Sequence, residues 1–178
     1  LTTAVLARMP TGSLTALERY PLRRKLSKEM GCDVCLDVAS CEELVRSCPF
    51  GERGADLTFE LSGNPDALDT ALRLTGFEGR VVLGSWYGNK AVHAHFGEAF
   101  HRRRLRIIGS QVSSISPSLS ARWDKERRLR LSWEMVRRTR PSRLVTHRFD
   151  VDEAAQAYDL IDQGSEDAVQ VLLSYGGD

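Results

Sequence analysis

Apolar positions along this chain fall into short runs, and each run is followed by a charged stretch with helical spacing. Thr2 to Met9 predicts the end of a helix, closed by Pro10 and Gly12. Leu14 to Leu17 predicts a short apolar strand that stops at an acid, Glu18. Pro21 then opens an amphipathic helix, Leu22 to Met30, and Gly31 ends it, because glycine readily takes the left-handed conformation at a helix C-terminus. Val34 to Val38 predicts the next strand and Cys41 to Ser47 the next helix. Leu57 to Leu61 is apolar again and stops at Ser62-Gly63. Asn64 is suited to cap a helix and Pro65 to begin one, so a helix is expected over Asp66 to Leu74.

Gly79 introduces "RVVLGSWYG", and after an irregular segment "LRIIGSQVSS" repeats the theme. Strands that are apolar on both faces, alternate with helices and end in Gly or Ser predict a parallel α/β sheet. Beyond a serine-rich run with Pro117, Ser113 to Ser120, the pattern changes and a boundary is expected. Arg122 to Arg138 predicts a long amphipathic helix with Trp123, Leu129, Trp133 and Val136 facing inward. Leu144 to Phe149 predicts a strand, Asp152 a cap for the helix Glu153 to Ile161 stopping near Gly164, and Val169 to Ser174 a last strand.

Composition narrows the function classes. The 178 residues suffice for one ordinary core, or for one domain and part of another. Leu1 to Arg8 lacks a basic leader, a long apolar segment and a small-residue cleavage pattern, and no apolar run reaches membrane-spanning length. A cytoplasmic protein with no membrane partner is therefore expected. The net charge of +1 sets no global field that would attract nucleic acid. Basic residues do cluster at His101 to Arg106, Arg122 to Arg130 and Arg137 to Arg143, and these read as solvated helix faces and strand entries.

Cys32, Cys35, Cys41 and Cys48 crowd one region, but the second pair lacks the close spacing of a four-thiolate zinc site. On a strand, residues three apart point to opposite faces, so Cys32 and Cys35 are expected to diverge as free thiols. His93 and His95 in "VHAHF" share a face if extended, with His101 nearby. No convincing third ligand accompanies them, and a loop or pocket rim is the expectation. No metal ligand and no catalytic residue is assigned within the chain.

Glu18 raises the sharper question. In a dinucleotide-binding fold an acid at a strand end grips the adenosine ribose, about 20 residues beyond a glycine-rich phosphate loop. Only twelve residues precede Ser13, and they hold no such loop. The competing reading is an exposed acid paired with a nearby arginine.

Five segments in order, "LERYPLRRKLSKEMGCD", "ADLTFELSGNPDAL", "GRVVLGS", "LRIIGSQ" and "VTHRFDVDEAAQAYDLI", resemble the later half of the zinc-type medium-chain alcohol dehydrogenases. The likeness covers nearly the whole chain. It implies a partial NAD(P)-binding Rossmann-type parallel sheet over residues 1–115, lacking its first strand and glycine loop. Residues 116–178 would then be the C-terminal return segment of the catalytic domain. Leu1 would fall in the middle of the first Rossmann helix, with the loop and the zinc-bearing domain upstream. In the strand order 3-2-1-4-5-6 the first strand is central. The strands at Leu14 and Leu57 would then face a gap, each buried unpaired amide costing about 1–3 kcal/mol, and the chain alone would fold poorly.

The resemblance also implies roles. Glu18 would hold the ribose of NAD and repel the extra phosphate of NADP, which makes NAD the favoured cofactor. Arg19 would stack on the adenine or soften that discrimination, and Arg23 would lie near the ribose. Ser62, Leu83, Gly84, Ser85, Ser110, Gln111 and Val112 would line the nicotinamide half, where ordinary turn chemistry is the competing reading. Gln170 stands where the family often has a basic residue reaching the pyrophosphate, and Arg148 could substitute.

In the complete enzyme, zinc held by residues outside this chain would polarise an alcohol or carbonyl substrate while hydride passes to or from the nicotinamide. The segment alone would be inactive, and the complete protein a homo-oligomer paired near "GSWYGNKAV". The alternatives are a stand-alone non-catalytic nucleotide- or nucleic-acid-binding module and, among enzymes, a methyltransferase whose second strand also ends in an acid.

Overall fold

The structure, a computed structural model, describes residues 1–38, 41–47, 50–51 and 53–176. In chain order the elements are α1 (Thr2–Leu6), β1 (Thr15–Leu17), α2 (Pro21–Glu29), β2 (Val34–Leu36), α3 (Cys41–Ser47), β3 (Ala55–Glu60) and α4 (Ala67–Leu74). They continue with β4 (Thr75–Leu83), β5 (Arg106–Gly109), α5 (Lys125–Thr139), β6 (Val145–Asp150), α6 (Ala154–Asp162) and β7 (Gln170–Ser174). Every strand pair is parallel, so the α/β class expected from the sequence is the one found. The chain divides into two compact units, residues 1–39 with 123–178 and residues 40–122.

In the first unit β1 pairs with β2, from Thr15 opposite Val34 to Leu17 opposite Leu36. Pro21 begins α2 where no amide donor is needed, and Gly31 leaves it at φ 104. β6 and β7 form a second parallel pair, and α6 packs on both. α5 packs against α1, and Arg8 Nε donates to the Arg138 carbonyl.

In the second unit the order is β3-β4-β5. α4 lays Leu68, Ala71 and Leu72 against Val81 and Leu105, which make its core. Burying a leucine of this kind contributes about 1.5–3 kcal/mol. α4 begins later than expected: Asn64 Oδ1 accepts from the Asp66 amide at 3.1 Å within a turn over Pro65 and Asp66, and Asp66, not Asn64, stands at the N-cap of the helix that starts at Ala67. β1 and β3 each have a hydrogen-bonded neighbour on one side only among the described residues.

Several expectations need correction. β4 begins at Thr75 rather than behind Gly79, because the Thr75 hydroxyl bonds both the Ala71 carbonyl and Thr58 Oγ1, each at 2.7 Å, tying the strand directly to the end of α4. Glu78 then takes φ 58 and the pairing with β3 shifts register between Ala55 and Leu57. Asp150, not Asp152, caps the approach to α6, its side chain accepting from the Asp152 amide.

α5 starts at Lys125 rather than at the expected Arg122, because Asp124 caps it by accepting from the Arg127 amide, and its inward residues differ as well. Leu129 and Trp133 are both 57% exposed and Val136 is exposed too. Thr139 is buried, with Met135 and Arg128 half-buried on the same face. A helix this rich in arginine presents two stripes at helical spacing, and arginine stems can cover apolar surface as well as leucine can.

The strand expected to carry both Cys32 and Cys35 holds only the second. The Asp33 and Val34 amides both donate to the Leu14 carbonyl, at 2.8 and 3.3 Å, so the chain turns at Asp33 and only Cys35 lies in β2. Strand alternation therefore does not apply between them. Both are free. Cys48 lies outside the described residues, as does the side chain of Cys41.

Candidate functional site

Ligands in open α/β sheets bind beyond the carboxyl ends of the strands, and the structure builds two corners there, one in each unit. In the first, β1 ends at Leu17 and the Glu18 amide still donates to Leu36 of β2, which fixes the acid at the strand end. Glu18 Oε1 accepts from the Tyr20 amide at 3.1 Å. Arg24, one turn into α2, donates to the carbonyls of Glu18 and Arg19 and pairs with Asp37 at 2.9 Å. The expected partnership of an exposed acid with an arginine therefore falls to Asp37, and Arg24 meets Glu18 only through its backbone.

Tyr20 organises the neighbouring cations. Arg19 lies 4.9 Å and Arg23 4.8 Å from its ring centroid. Arg19 is exposed, whereas Arg23 reaches the Ala168 carbonyl at 2.9 Å. Arg23 Nε is buried and has no hydrogen-bond partner among the described residues.

In the second unit the ends of β3, β4 and β5 gather the remaining predicted residues. The Gly84 amide donates to the Glu60 carbonyl and the Ser110 amide to the Leu83 carbonyl, so the three strand ends are stitched edge to edge. Ser62 is exposed, Leu83 and Ser85 are half-buried, and Ser110, Gln111 and Val112 are exposed. Gln111 Oε1 accepts from the Ser113 amide and shapes the turn after β5. A β-carbon at Gly84 would stand 2.5 Å from Leu61 Cδ2, the movable end of an exposed side chain.

Two residues at this corner were not picked out from the sequence. Glu60, 4% exposed at the end of β3, accepts hydrogen bonds from the Ser62 amide, the Ser62 hydroxyl and the Tyr87 hydroxyl. Ser85 Oγ accepts from the Gly63 amide at 2.8 Å. Burial acts to raise the Glu60 carboxyl, but the hydrogen bonds from Ser62, Ser85 and Tyr87 outweigh it and hold its pKa below the ordinary value. The Tyr87 hydroxyl is pushed well up, first by burial and then by its bond to Glu60 and that residue's charge. The available signal is an acid, Glu60, near the end of the strand pattern and just before Ser62-Gly63.

The other candidates separate cleanly. His95 donates its amide to Asp69 and sets its ring Nδ1 3.1 Å from the same oxygen, on an exposed loop. Gln170 turns its amide onto the Val171 carbonyl, and Arg148 is exposed on β6. The His147 ring stacks on Phe149. Many basic residues have structural work: Arg103 holds the carbonyls of Arg73 and Thr75, Arg104 pairs with Glu78, and Arg130 and Arg138 pair with glutamates one turn away. Among the described residues, no group of three or more His, Cys, Asp or Glu side chains is placed to hold a metal ion.

Residues 3–129 match the family model of the zinc-binding dehydrogenases. The chain belongs to that family. This zinc-binding dehydrogenase chain is 27% identical over 169 residues to 5-exo-hydroxycamphor dehydrogenase of Pseudomonas putida, covering 91% of the chain and 45% of that protein. It is 26% identical over 116 residues to D-guloside 3-dehydrogenase of Escherichia coli, covering 64% of the chain and 33% of that protein. The chain thus spans less than half the length of these relatives.

Solved structures agree on the fold. A protein described as a short chain alcohol dehydrogenase from Escherichia coli CFT073, solved with NADH, superposes with a TM-score of 0.76 at 19% identity, covering 97% of this chain and 48% of that one. An alcohol dehydrogenase from Thermotoga maritima gives 0.74 at 20% identity, covering 98% of this chain and 54% of that one. No described helix of the zinc-binding dehydrogenase chain is long and apolar enough to cross a membrane.

Proposed function

We propose that the chain is the cofactor-binding portion of a cytoplasmic NAD(H)-dependent oxidoreductase acting on a small alcohol or carbonyl compound. Residues 1–115 supply the partial Rossmann-type part and residues 116–178 the returning segment of the catalytic domain, a division by role rather than by contact. The observation that carries this reading is Glu18, held by backbone bonds at the carboxyl end of β1 with one oxygen on Tyr20. Its other oxygen can accept from a ribose hydroxyl, and its charge disfavours a 2′-phosphate, so NAD is preferred over NADP.

Arg19 and Arg23 flank the adenosine end, Arg23 with a buried Nε that lacks an acceptor among the described residues. Ser62, Leu83, Gly84, Ser85, Ser110, Gln111 and Val112 line the nicotinamide half, largely through backbone groups. When bound, the nicotinamide supplies hydride transfer, and the chain's part is to orient it. Zinc is held by residues outside this chain. The segment alone turns over no substrate, and the complete protein is a homo-oligomer. The in-chain bonds of Arg103, Arg104, Arg130 and Arg138 speak against a nucleic-acid surface.

Fluorescence titration of the chain with NADH and NADPH tests this. NADH is expected to bind at least tenfold more tightly, and Glu18→Ala to erase the difference. Equal affinities in the native chain, or a preference indifferent to that substitution, would overturn the assignment. Reduction of NAD by an alcohol with this chain as the only protein would overturn its inactivity.

A further inference from the structure

Glu60 is a buried carboxylate to which the proposed cofactor chemistry gives no task. It stands at the last position of β3, 4% exposed, where the strand turns into the corner that holds Ser62 and Ser85. The Ser62 amide donates to its Oε1 at 2.7 Å, the Ser62 hydroxyl donates to the same oxygen, and the Tyr87 hydroxyl donates to Oε2. Its own carbonyl accepts from the Gly84 amide at 3.0 Å and lies 3.5 Å from Ser85 Oγ, so the ends of β3 and β4 close around it. All of these donors are neutral. They satisfy the carboxylate without cancelling its charge. Burial works to raise its pKa, yet the hydrogen bonds from Ser62, Ser85 and Tyr87 hold it below the ordinary value, so it is ionised at neutral pH.

A charge shielded from water is weakly screened and acts on its surroundings far more strongly than one in solvent. We propose that Glu60 makes this corner selective for the oxidised cofactor, its negative charge favouring the cationic ring of NAD⁺ over the neutral ring of NADH. The inference rests on the reading that Ser62, Leu83, Gly84 and Ser85 line the nicotinamide half. NAD⁺ and NADH share their adenosine and pyrophosphate groups, so any difference in their affinities arises at the nicotinamide end. By linkage, Glu60 lowers the free energy of the oxidised form on the site, which favours carbonyl reduction over alcohol oxidation. Ser62 and Tyr87 are positioning residues in this scheme, holding the carboxylate in place and ionised.

Dissociation constants of the whole chain for NAD⁺ and NADH, measured by calorimetry at neutral pH, test the assignment. Glu60→Gln keeps the shape and removes the charge, and it is expected to weaken NAD⁺ about fivefold relative to NADH. Tyr87→Phe keeps the charge and is expected to leave the ratio of the two affinities as in the native chain. A role confined to bracing the turn would weaken both cofactors alike. A measurement on the native chain stands even if Glu60→Gln folds badly: benzamide adenine dinucleotide, whose flat ring is uncharged, is expected to bind about fivefold more weakly than NAD⁺. Equal losses of NAD⁺ and NADH in Glu60→Gln, or equal native affinities for NAD⁺ and the benzamide analogue, would overturn the proposal and leave the cofactor reading standing. A native chain that binds neither NAD⁺ nor NADH would overturn both.

Discussion

The Tyr87 hydroxyl donates to the buried carboxylate of Glu60, joining the segment after β4 to the end of β3. Ser62 supplies two further donors from the next turn. Tyr87→Phe removes one donor from a charge that is sealed from water. Hydrogen bonds to charged groups are worth about 1.5–3 kcal/mol, so a loss of that order is expected in urea unfolding. A change under about 0.5 kcal/mol would mean that water replaces the phenol.

The same pair fixes a pH response at both ends. A glutamate whose folded pKa is lowered stabilises the fold above its unfolded value, 4.5, and loses that contribution as the pH falls through the folded value. A tyrosine whose folded pKa is raised stabilises the fold below its unfolded value, 10.0, and loses that contribution as the pH rises further. Melting temperature is therefore expected to fall below about pH 4.5 and above about pH 10. Glu60→Gln should flatten the acid limb relative to the native chain, and Tyr87→Phe the alkaline limb. Unchanged limbs in both variants would show that other groups set the profile.

Much of the fold is legible in the sequence because local signals and tertiary packing agree. Pro21 and Gly31 mark helix ends that depend on backbone geometry alone, and the apolar run at Val81 is a strand whose central residue is fully buried. The errors occur where a side chain overrides the local pattern. Thr75 ties a helix end straight into a strand, the Asp33 turn cancels the alternation between two cysteines, and arginine-rich α5 offers two faces of similar character. Glu18 was legible as a strand-end acid. Glu60 was not, because a buried carboxylate declares itself only through the Ser62 and Tyr87 donors that the fold brings to it.

Arg24 is expected to matter more for the Glu18 corner than for overall stability. It donates to the carbonyls of Glu18 and Arg19 and pairs with Asp37, whose side chain is 49% exposed, so water screens the pair from the acid's side. Such a pair is worth about 1 kcal/mol or less. Arg24→Ala should therefore lower stability only slightly while amide exchange at Arg19 and Tyr20 speeds up several-fold. A large global destabilisation with no local change in exchange would refute that division.

Gly76 marks the tightest point of the second unit. A β-carbon there would stand 1.9 Å from the Arg53 carbonyl oxygen, a backbone atom that cannot swing aside. Gly54, opposite, sits at φ 70, and a β-carbon on it would stand 2.7 Å from the Gly76 nitrogen. The clash falls where β3 and β4 shift register, so relief requires moving a strand that carries the core residue Val81. Overpacking of this kind costs about 1–3 kcal/mol or more, and Gly76→Ala is expected at or above the top of that range. Gly109, at the end of β5, has open space where a β-carbon would go, and Gly109→Ala should stay within about 0.5 kcal/mol of the native chain. Thermal melts of the two variants side by side check the contrast, and equal losses would mean that the close approach at Gly76 is not what holds the register.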